Sequence, residues 1–327
     1  MALKVAIFGA GAIGGFLGVR FARAGAAVSL LARGAHLAAM RADGVRLQIE
    51  GKEEVAHVRC TDDPTELGPQ DYVVIALKAH QISGAVDGIA ALLGSDTAVV
   101  TASNGLPYWY FRDAPGPLAD RVLETVDPGG EQWRRIGAER AIGCVVFPAT
   151  EVVAPGVIRH DHGFKFPLGE PSGRTTARVE RLAALFAAGG LEAPIRDDIR
   201  DEIWLKLWGN LCLNPISALT HATVDIVATD PGTAAVCRAM MTEAAAIAGR
   251  IGLRVRVDMA RRLEGAAALG AHKMSMLQDL ERGRSMEIEP MVGAVQEIGR
   301  LTGVPTPAID TVLALIRLRA RTAGSLS

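Results

Sequence analysis

The sequence predicts an α/β half built on a doubly wound parallel sheet, followed by an all-α C-terminal half. Short runs rich in valine and isoleucine alternate with helical patterns in the first half, which is typical of βαβ units. From about Ile199 the patterns are helical almost to the end. We place the hinge at Ile195–Arg200 and expect two domains, residues 1–196 and 197–327.

Five segments of the first half have the composition of strands, and three have helical periodicity. The predicted strands are Lys4–Phe8, Ala27–Leu31, Val45–Ile49, Tyr72–Ala76 and Ala98–Thr101. The predicted helices are Ala12–Ala24, Gln81–Leu93 and Thr175–Ala188. Two later segments, IGCVVFPA and GVIRHDHGFKFPLG, are also rich in strand-forming residues.

Helix boundary signals organise the second half. Asp230 followed by Pro231 is typical of an N-cap with proline in the first turn, and Gly252 is typical of a helix end. Asp258 is a candidate N-cap. Ser285 is another, with Glu287 in the first turn, where the helix dipole favours an acid.

Composition excludes several classes of function. Hydrophobic residues make up 49% and charged residues 22% of the 327 positions, and the net charge is −1. No basic block suggests a nucleic-acid or anionic membrane surface. No run approaches the roughly 18 apolar residues of a spanning helix, and the chain enters the strand-like run KVAIF without a signal-peptide pattern. We therefore expect a cytoplasmic protein.

The cysteine and histidine patterns predict no metal site. The four cysteines are scattered without metal-ligand spacing, so we expect them to be reduced and buried; they are Cys60, Cys144, Cys212 and Cys237. His160 and His162 alternate on a predicted strand, but two ligands without a third do not make a zinc site. We interpret both histidines as structural or surface residues.

A glycine motif follows the first predicted strand. FGAGAIGGF contains Gly9-x-Gly11-x-x-Gly14, with Ala12 and Ile13 opening the first helix. The first glycine permits a tight turn, the second lets backbone approach a pyrophosphate, and the third lets helix and strand pack closely. Because this pattern opens the first βαβ unit of the chain, it favours a Rossmann-type dinucleotide site over a strand-to-helix turn without a ligand.

The residue after the second strand indicates which dinucleotide binds. An NAD site usually has an acid there, but this strand ends Leu31-Ala32-Arg33. An arginine suits the 2′-phosphate of NADP, so NADP (NADPH) is the predicted cofactor. An ordinary solvated arginine is the alternative.

Three polar residues follow later strands. Lys78 and Gln81 come just after the fourth strand, and Asn104 just after the fifth. Ligands bind beyond the carboxyl ends of strands in doubly wound sheets, which favours a role in binding. The alternatives are an exposed lysine at a helix start and an Asn-Gly turn.

The stretch WLKLWGNLCLNP carries the second chemical pattern. Lys206, Asn210 and Asn214 are four residues apart and share one helix face, surrounded by tryptophan and leucine. A snorkelling lysine on a partly exposed helix is one interpretation. A helix face that lines an active site agrees better with the apolar surroundings than a snorkelling lysine does. Hydride transfer to a carbonyl needs a proton donor, and Lys206 can be one. Pro215 predicts a kink.

The segment HKMSMLQDLERGRSMEIEP places Ser275 and Asp279 on one helix face, with Gly283 before Glu287. Solvated acids are the alternative for Asp279 and Glu287.

The chain resembles the ketopantoate reductase (2-dehydropantoate 2-reductase) family along nearly its whole length. The resemblance rests on this segment together with five earlier pieces of the sequence: GAGAIGG, Arg33, ALKAHQ, SNG and WLKLWGNLCLNP. The resemblance implies NADPH-dependent reduction of a 2-oxo acid in pantothenate biosynthesis, with the active site in a cleft between two domains.

The resemblance also assigns roles. Lys206 corresponds to the general acid and Glu287 to an acid that hydrogen-bonds the substrate. The corresponding substrate-contacting residues are Asn104, Asn210, Asn214 and Ser275. Arg33 and Lys78 correspond to residues on the cofactor side, and Asn104 lies near the nicotinamide. A homodimer is the expected assembly, with a small-molecule 2-oxo acid as the other partner.

Four positions depart from the family pattern on the substrate side. His272 and Val292 stand where asparagine is usual. Met286 stands where threonine is usual, and Glu289 where aspartate is usual. These departures leave a same-fold reductase of another 2-oxo or 3-oxo acid as an alternative. A non-enzymatic NADP-binding sensor is a second alternative, which the combination of Lys206, Asn210 and Glu287 argues against.

Overall fold

The computed structural model describes residues 2–254 and 257–324 and divides them into two compact units. The first, the sheet unit, comprises residues up to Ser103, residues 108–113 and residues 129–199. The second, the helical unit, comprises residues 104–107, residues 114–128 and the described chain from Arg200 onward. Two short segments of the N-terminal half thus belong to the helical unit.

A seven-stranded sheet forms the centre of the sheet unit. Its strands are β1 Lys4–Phe8, β2 Ala27–Leu31, β5 Arg59–Thr61, β6 Tyr72–Ile75, β7 Ala98–Thr101, β8 Ala141–Cys144 and β11 Leu168–Gly169. Their order across the sheet is β11-β8-β7-β6-β1-β2-β5. Neighbouring strands are parallel, except that β11 is antiparallel to β8. The prediction of a doubly wound α/β sheet is confirmed.

A second sheet of four strands was not predicted. Its order is β4-β3-β10-β9, with β3 Val45–Ile49, β4 Lys52–Ala56, β9 Ala149–Ala154 and β10 Val157–His162. The expectation that residues 45–49 join the parallel sheet is therefore wrong. Glu50 and Gly51, with φ of 50° and 72°, turn β3 back onto β4 as a hairpin. Positive φ at both central residues is what a type I′ turn requires.

The helices of the sheet unit are α1 Ala12–Arg23, α2 Gly34–Asp43, α3 Ala79–Ile82, α4 Val86–Ala90 and α5 Ala177–Ala188. The single helix expected over Gln81–Leu93 is wrong, because a 3₁₀ turn at Ser83–Ala85 separates α3 from α4. Glycine is a poor helix former, and this segment contains Gly84 and Gly88. A side chain at Gly88 would come within 3.0 Å of Phe8.

The helical unit contains seven α-helices among its described residues: α6 Ile199–Thr220, α7 Val224–Thr229, α8 Pro231–Arg250, α9 Met259–Ala267, α10 Ser275–Glu281, α11 Ala294–Thr302 and α12 Pro307–Thr322. The α6 helix begins at the last residue of the sheet unit and continues through Pro215. The Asp230 carboxylate accepts from the Thr233 N–H, and Asp258 accepts from the Ala260 and Arg261 N–H groups. Both predicted N-caps are confirmed.

The predicted helix start at Ser285 is wrong. Residues 284–287 are not helical, and the next helical segment is a π-helical turn at Glu289–Gly293 that leads into α11. Proline is favoured in the first turn of a helix, and here Pro290 occupies it. Glu287 therefore lies on an irregular segment instead of in a first helical turn.

The four cysteines are buried and form no disulfide. His160 is buried and its ring stacks on Phe16, with centroids 5.0 Å apart, which supports a structural role. Within residues 2–254 and 257–324, no three metal-binding side chains cluster. Over the same residues, no helix combines the length and apolar character needed to span a bilayer.

Candidate functional site

The glycine motif forms a tight turn between β1 and α1. Gly9 has φ of 103°, a conformation that favours glycine. A Cβ on Gly14 would lie 2.0 Å from the Gly9 carbonyl oxygen, so the third glycine permits the close approach of helix and loop. Gly11 is the N-cap of α1 and supplies no capping side chain. The loop can thus present backbone N–H groups to an anion.

A cavity of about 360 Å³ in the sheet unit opens beside this loop. It is lined by Phe8, Gly9, Ala10, Gly11, Leu31, Ala32, Arg33, His36, Asp62, Leu77, Gln81, Gly84 and Ala85. Three of the predicted cofactor-binding residues, Gly9, Gly11 and Arg33, are part of this lining. Ala12, Ile13 and Gly14 begin α1 outside this lining, and Lys78 lies at the N-cap of α3, next to Leu77.

Two polar residues of the cavity lining, His36 and Asp62, were not identified in the sequence. His36 comes from the first turn of α2, and Asp62 follows β5. Neither segment carries a recognisable ligand-binding motif. Only the packing of α2 and β5 beside the glycine loop brings these two side chains to the cavity. Asp62 also pairs with Arg41 at 3.5 Å, so an arginine partly balances its negative charge. The exposed Arg33, N-cap of α2, adds a positive charge to the cavity lining.

Three polar side chains in the helical unit form a hydrogen-bonded chain. The Lys206 Nζ on α6 donates to Asn104 Oδ1 at 2.8 Å. The Asn104 Nδ2 then donates to Glu287 Oε2 at 3.3 Å. Glu287 is only 6% exposed, whereas Lys206 is half-buried. One amide thus links a buried carboxylate to the ammonium, and each charged group has a polar partner, as burial requires.

A second contact joins α6 to α10. Asn214 is 1% exposed, and its Oδ1 accepts hydrogen bonds from Ser275 Oγ at 3.0 Å and from the Met276 N–H at 3.2 Å. Ser275 itself is exposed at the first residue of α10. Asn210 lies between Lys206 and Asn214 on the same face of α6 and is half-buried. The predicted polar row is therefore present on α6. Asn104 contacts its Lys206 end, and Ser275 contacts its Asn214 end.

The turn that carries Asn104 is fixed by backbone contacts. Gly105 has φ of 81°, and a Cβ there would lie 2.6 Å from the Pro290 carbonyl oxygen. The Leu106 N–H donates to the same oxygen at 3.0 Å. The segment following Glu287 thus holds the turn that follows Asn104. This explains why residues 104–107 belong to the helical unit.

The four departures from the family pattern occupy different settings, and Glu289 accepts a hydrogen bond from Arg317 Nε at 2.7 Å. Met286 is 5% exposed and Val292 is fully buried, so these two side chains pack inside the helical unit. The His272 carbonyl accepts from the Val224 N–H at 2.9 Å, which ties the segment before α10 to α7. Two of the four departures are therefore apolar packing positions.

Family models match both parts of the chain: "Ketopantoate reductase PanE/ApbA" over residues 5–173, and "Ketopantoate reductase PanE/ApbA C terminal" over residues 198–320. The chain belongs to the ketopantoate reductase family. As a member of this family it is an oxidoreductase.

Similar proteins span the same length. A 2-dehydropantoate 2-reductase of Mesorhizobium japonicum is 56% identical, over 99% of this chain and 100% of that protein. The solved structure of a putative ketopantoate reductase from Ralstonia solanacearum is 45% identical, with a TM-score of 0.95 and coverage of 99% and 100%. A 2-dehydropantoate 2-reductase structure from Methylococcus capsulatus is 26% identical, with a TM-score of 0.83 and coverage of 99% and 98%.

Proposed function

We propose that this protein reduces 2-dehydropantoate (ketopantoate) to pantoate with NADPH as the hydride donor. The observation that carries the proposal is the Lys206–Asn104–Glu287 hydrogen-bonded chain on a ketopantoate reductase fold. It combines a proton donor, a neutral amide and a buried hydrogen-bond acceptor. Reduction of a hydroxylated 2-oxo acid needs these three kinds of group.

The cofactor assignment rests on the cavity of the sheet unit. Its glycine loop can hold a pyrophosphate against the start of α1, and Arg33 can pair with the 2′-phosphate. The single carboxylate in the lining, Asp62, is paired with Arg41, which reduces its repulsion of a phosphate. When bound, NADPH supplies the hydride.

The helical unit supplies the remaining chemistry. As C2 of the substrate gains a hydride, its carbonyl oxygen gains negative charge and needs a proton. The Lys206 ammonium gives up that proton, and the neutral amine is then reprotonated from water. The Asn104 Oδ1 holds the ammonium at 2.8 Å before the reaction, which restricts the direction of its N–H bonds. The alkoxide becomes the 2-hydroxyl of pantoate.

The polar groups around Lys206 hold the substrate. The Asn210 amide can donate to the substrate carboxylate or carbonyl without adding charge. The Ser275 hydroxyl donates to Asn214 Oδ1 at 3.0 Å, which holds Ser275 in place, and it can donate to the substrate once it turns away from Asn214. Glu287 accepts a hydrogen bond from the hydroxyl that distinguishes ketopantoate from simpler 2-oxo acids.

The test is an assay of NADPH oxidation with a panel of 2-oxo acids, repeated with NADH. We expect ketopantoate to give the highest kcat/KM, and its dehydroxylated analogue 3,3-dimethyl-2-oxobutanoate a much lower one. Faster turnover of another 2-oxo acid would replace the substrate assignment. Tighter binding of NADH than of NADPH would contradict the cofactor assignment.

Two expectations about context, the cytoplasmic location and the homodimer, stay predictions. A ketopantoate reductase from Staphylococcus aureus is described as dimeric, but at 19% identity its likeness to this chain shows the fold alone. Size-exclusion chromatography with light scattering would determine whether this chain forms the expected homodimer.

A further inference from the structure

The imidazole of His36 bridges two backbone groups beside the cofactor cavity. Its Nε2 lies 2.8 Å from the Ala10 carbonyl oxygen, and the Gly156 N–H donates to its Nδ1 at 2.9 Å. A backbone N–H can only donate and a carbonyl can only accept. Nδ1 must therefore be unprotonated, and Nε2 must carry the hydrogen. The two contacts together require the neutral ring in one tautomer.

The first contact acts on a peptide of the glycine loop. The Ala10 carbonyl belongs to the Ala10–Gly11 peptide, and in a planar trans peptide the C=O and N–H bonds point in opposite directions. Holding the Ala10 oxygen therefore directs the Gly11 N–H away from His36. The preceding peptide is fixed too, because the Ala10 N–H donates to the Leu31 carbonyl at 2.9 Å. Ala10 is itself 3% exposed.

The second contact keeps the ring from rotating. Gly156 lies in the turn between β9 and β10 and has φ of 76°, and its carbonyl accepts from the Arg46 N–H of β3 at 2.9 Å. A Cβ on Gly156 would lie 3.1 Å from the Ala39 side chain, so the turn packs closely on α2. The four-stranded sheet thus supports His36 from the side opposite the glycine loop.

We propose that His36 is a positioning residue for the cofactor: it aims the Gly11 N–H at the pyrophosphate by holding the Ala10 carbonyl. The glycine loop then needs no rearrangement when the cofactor binds, so the ordering cost of binding is smaller. The inference rests on the proposed function, because it assigns His36 to the NADPH site. Its effect is on cofactor affinity, since His36 belongs to the sheet unit and the proton donor Lys206 to the helical unit.

Two amide substitutions separate the two contacts. The glutamine amide in His36→Gln reaches about as far as Nε2 and can still donate to Ala10. The shorter amide in His36→Asn sits near the Nδ1 position and can accept from Gly156 without reaching Ala10. Dissociation constants for NADPH and NADH are measured by fluorescence titration of the full chain, and kcat at saturating cofactor is measured alongside. His57→Gln, at an exposed histidine of the same unit, is the matched control.

We expect His36→Gln and His57→Gln to bind NADPH within about two-fold of the unchanged protein. We expect His36→Asn to bind it roughly 3- to 10-fold more weakly, the range for one lost neutral hydrogen bond, with kcat nearly unchanged. Equal losses in the Gln and Asn variants, or none in His36→Asn, would overturn the proposal. If the NADP assignment is wrong, the unchanged protein should bind NADH more tightly than NADPH. The role of His36 is then tested by comparing the NADH dissociation constants of His36→Gln and His36→Asn.

Discussion

Replacing Lys206 with methionine tests the proposed proton donor directly. Methionine keeps an apolar stem of similar length and removes the ammonium. The Asn104 Nδ2 can still donate to the buried Glu287 carboxylate in this variant, so Glu287 keeps a partner and the helical unit should stay folded. Any loss of turnover can then be assigned to the missing ammonium.

The expected loss follows from what the ammonium does. A positioned general acid contributes on the order of 10²- to 10⁴-fold to the rate. The Lys206 ammonium is already held by Asn104 at 2.8 Å, so its contribution does not depend on ordering a free side chain. Lys206→Met should therefore lower kcat by about 10²- to 10⁴-fold while leaving the NADPH dissociation constant nearly unchanged.

The assay is steady-state oxidation of NADPH with ketopantoate, with melting temperature as the check on folding. Lys273→Met is the matched control, because Lys273 is an exposed lysine of the same unit that pairs with Glu281. The variant should also lose the alkaline limb of the pH–rate profile, which reports deprotonation of the acid. A folded Lys206→Met protein that retains more than about a tenth of the original kcat would refute the assignment of Lys206 as proton donor.

Three further variants or treatments test other parts of the structure. Arg33→Asp should weaken NADPH binding and spare NADH binding, because it puts a negative charge beside the 2′-phosphate. Equal changes in the NADPH and NADH dissociation constants would contradict the role of Arg33. Glu287→Ala should lower kcat/KM for ketopantoate about 10- to 150-fold more than for 3,3-dimethyl-2-oxobutanoate, the range for a lost hydrogen bond to a charged group. Equal losses on both substrates would make Glu287 a structural residue. The hydrogen bond with Cys237 and burial hold the pKa of the Cys212 thiol well above its usual value, and burial also raises the pKa of Cys60. Both thiols therefore stay protonated near neutral pH. A disulfide reagent should label these two cysteines much more slowly in the folded protein than in the urea-unfolded protein, with the labelled residues located by mass spectrometry. Rapid labelling of Cys60 or Cys212 in the folded state would contradict the view that both are buried, protonated thiols.

The sequence by itself determined the features that depend on neighbouring residues. The bounds of β1, β2, β3 and β7 match the prediction at both ends, because a short run rich in valine, leucine or isoleucine between turn residues is a local pattern. The N-caps Asp230 and Asp258 were equally predictable, since each carboxylate bonds N–H groups within three residues. The polar face of α6 followed from helical periodicity alone.

The tertiary structure decided which of these elements meet. Residues 45–49 were recognised as a strand, but their assignment to the second sheet depends on a hairpin and on β10, more than a hundred residues later. Asn104 follows a strand of the sheet unit, yet its turn packs on Pro290 and its side chain joins Lys206 to Glu287. His36 and Asp62 became cavity residues through the same kind of distant pairing. Local patterns reflect the conformational preferences of a few adjacent residues, whereas a site is built from contacts between distant segments, and only the packed chain brings those segments together.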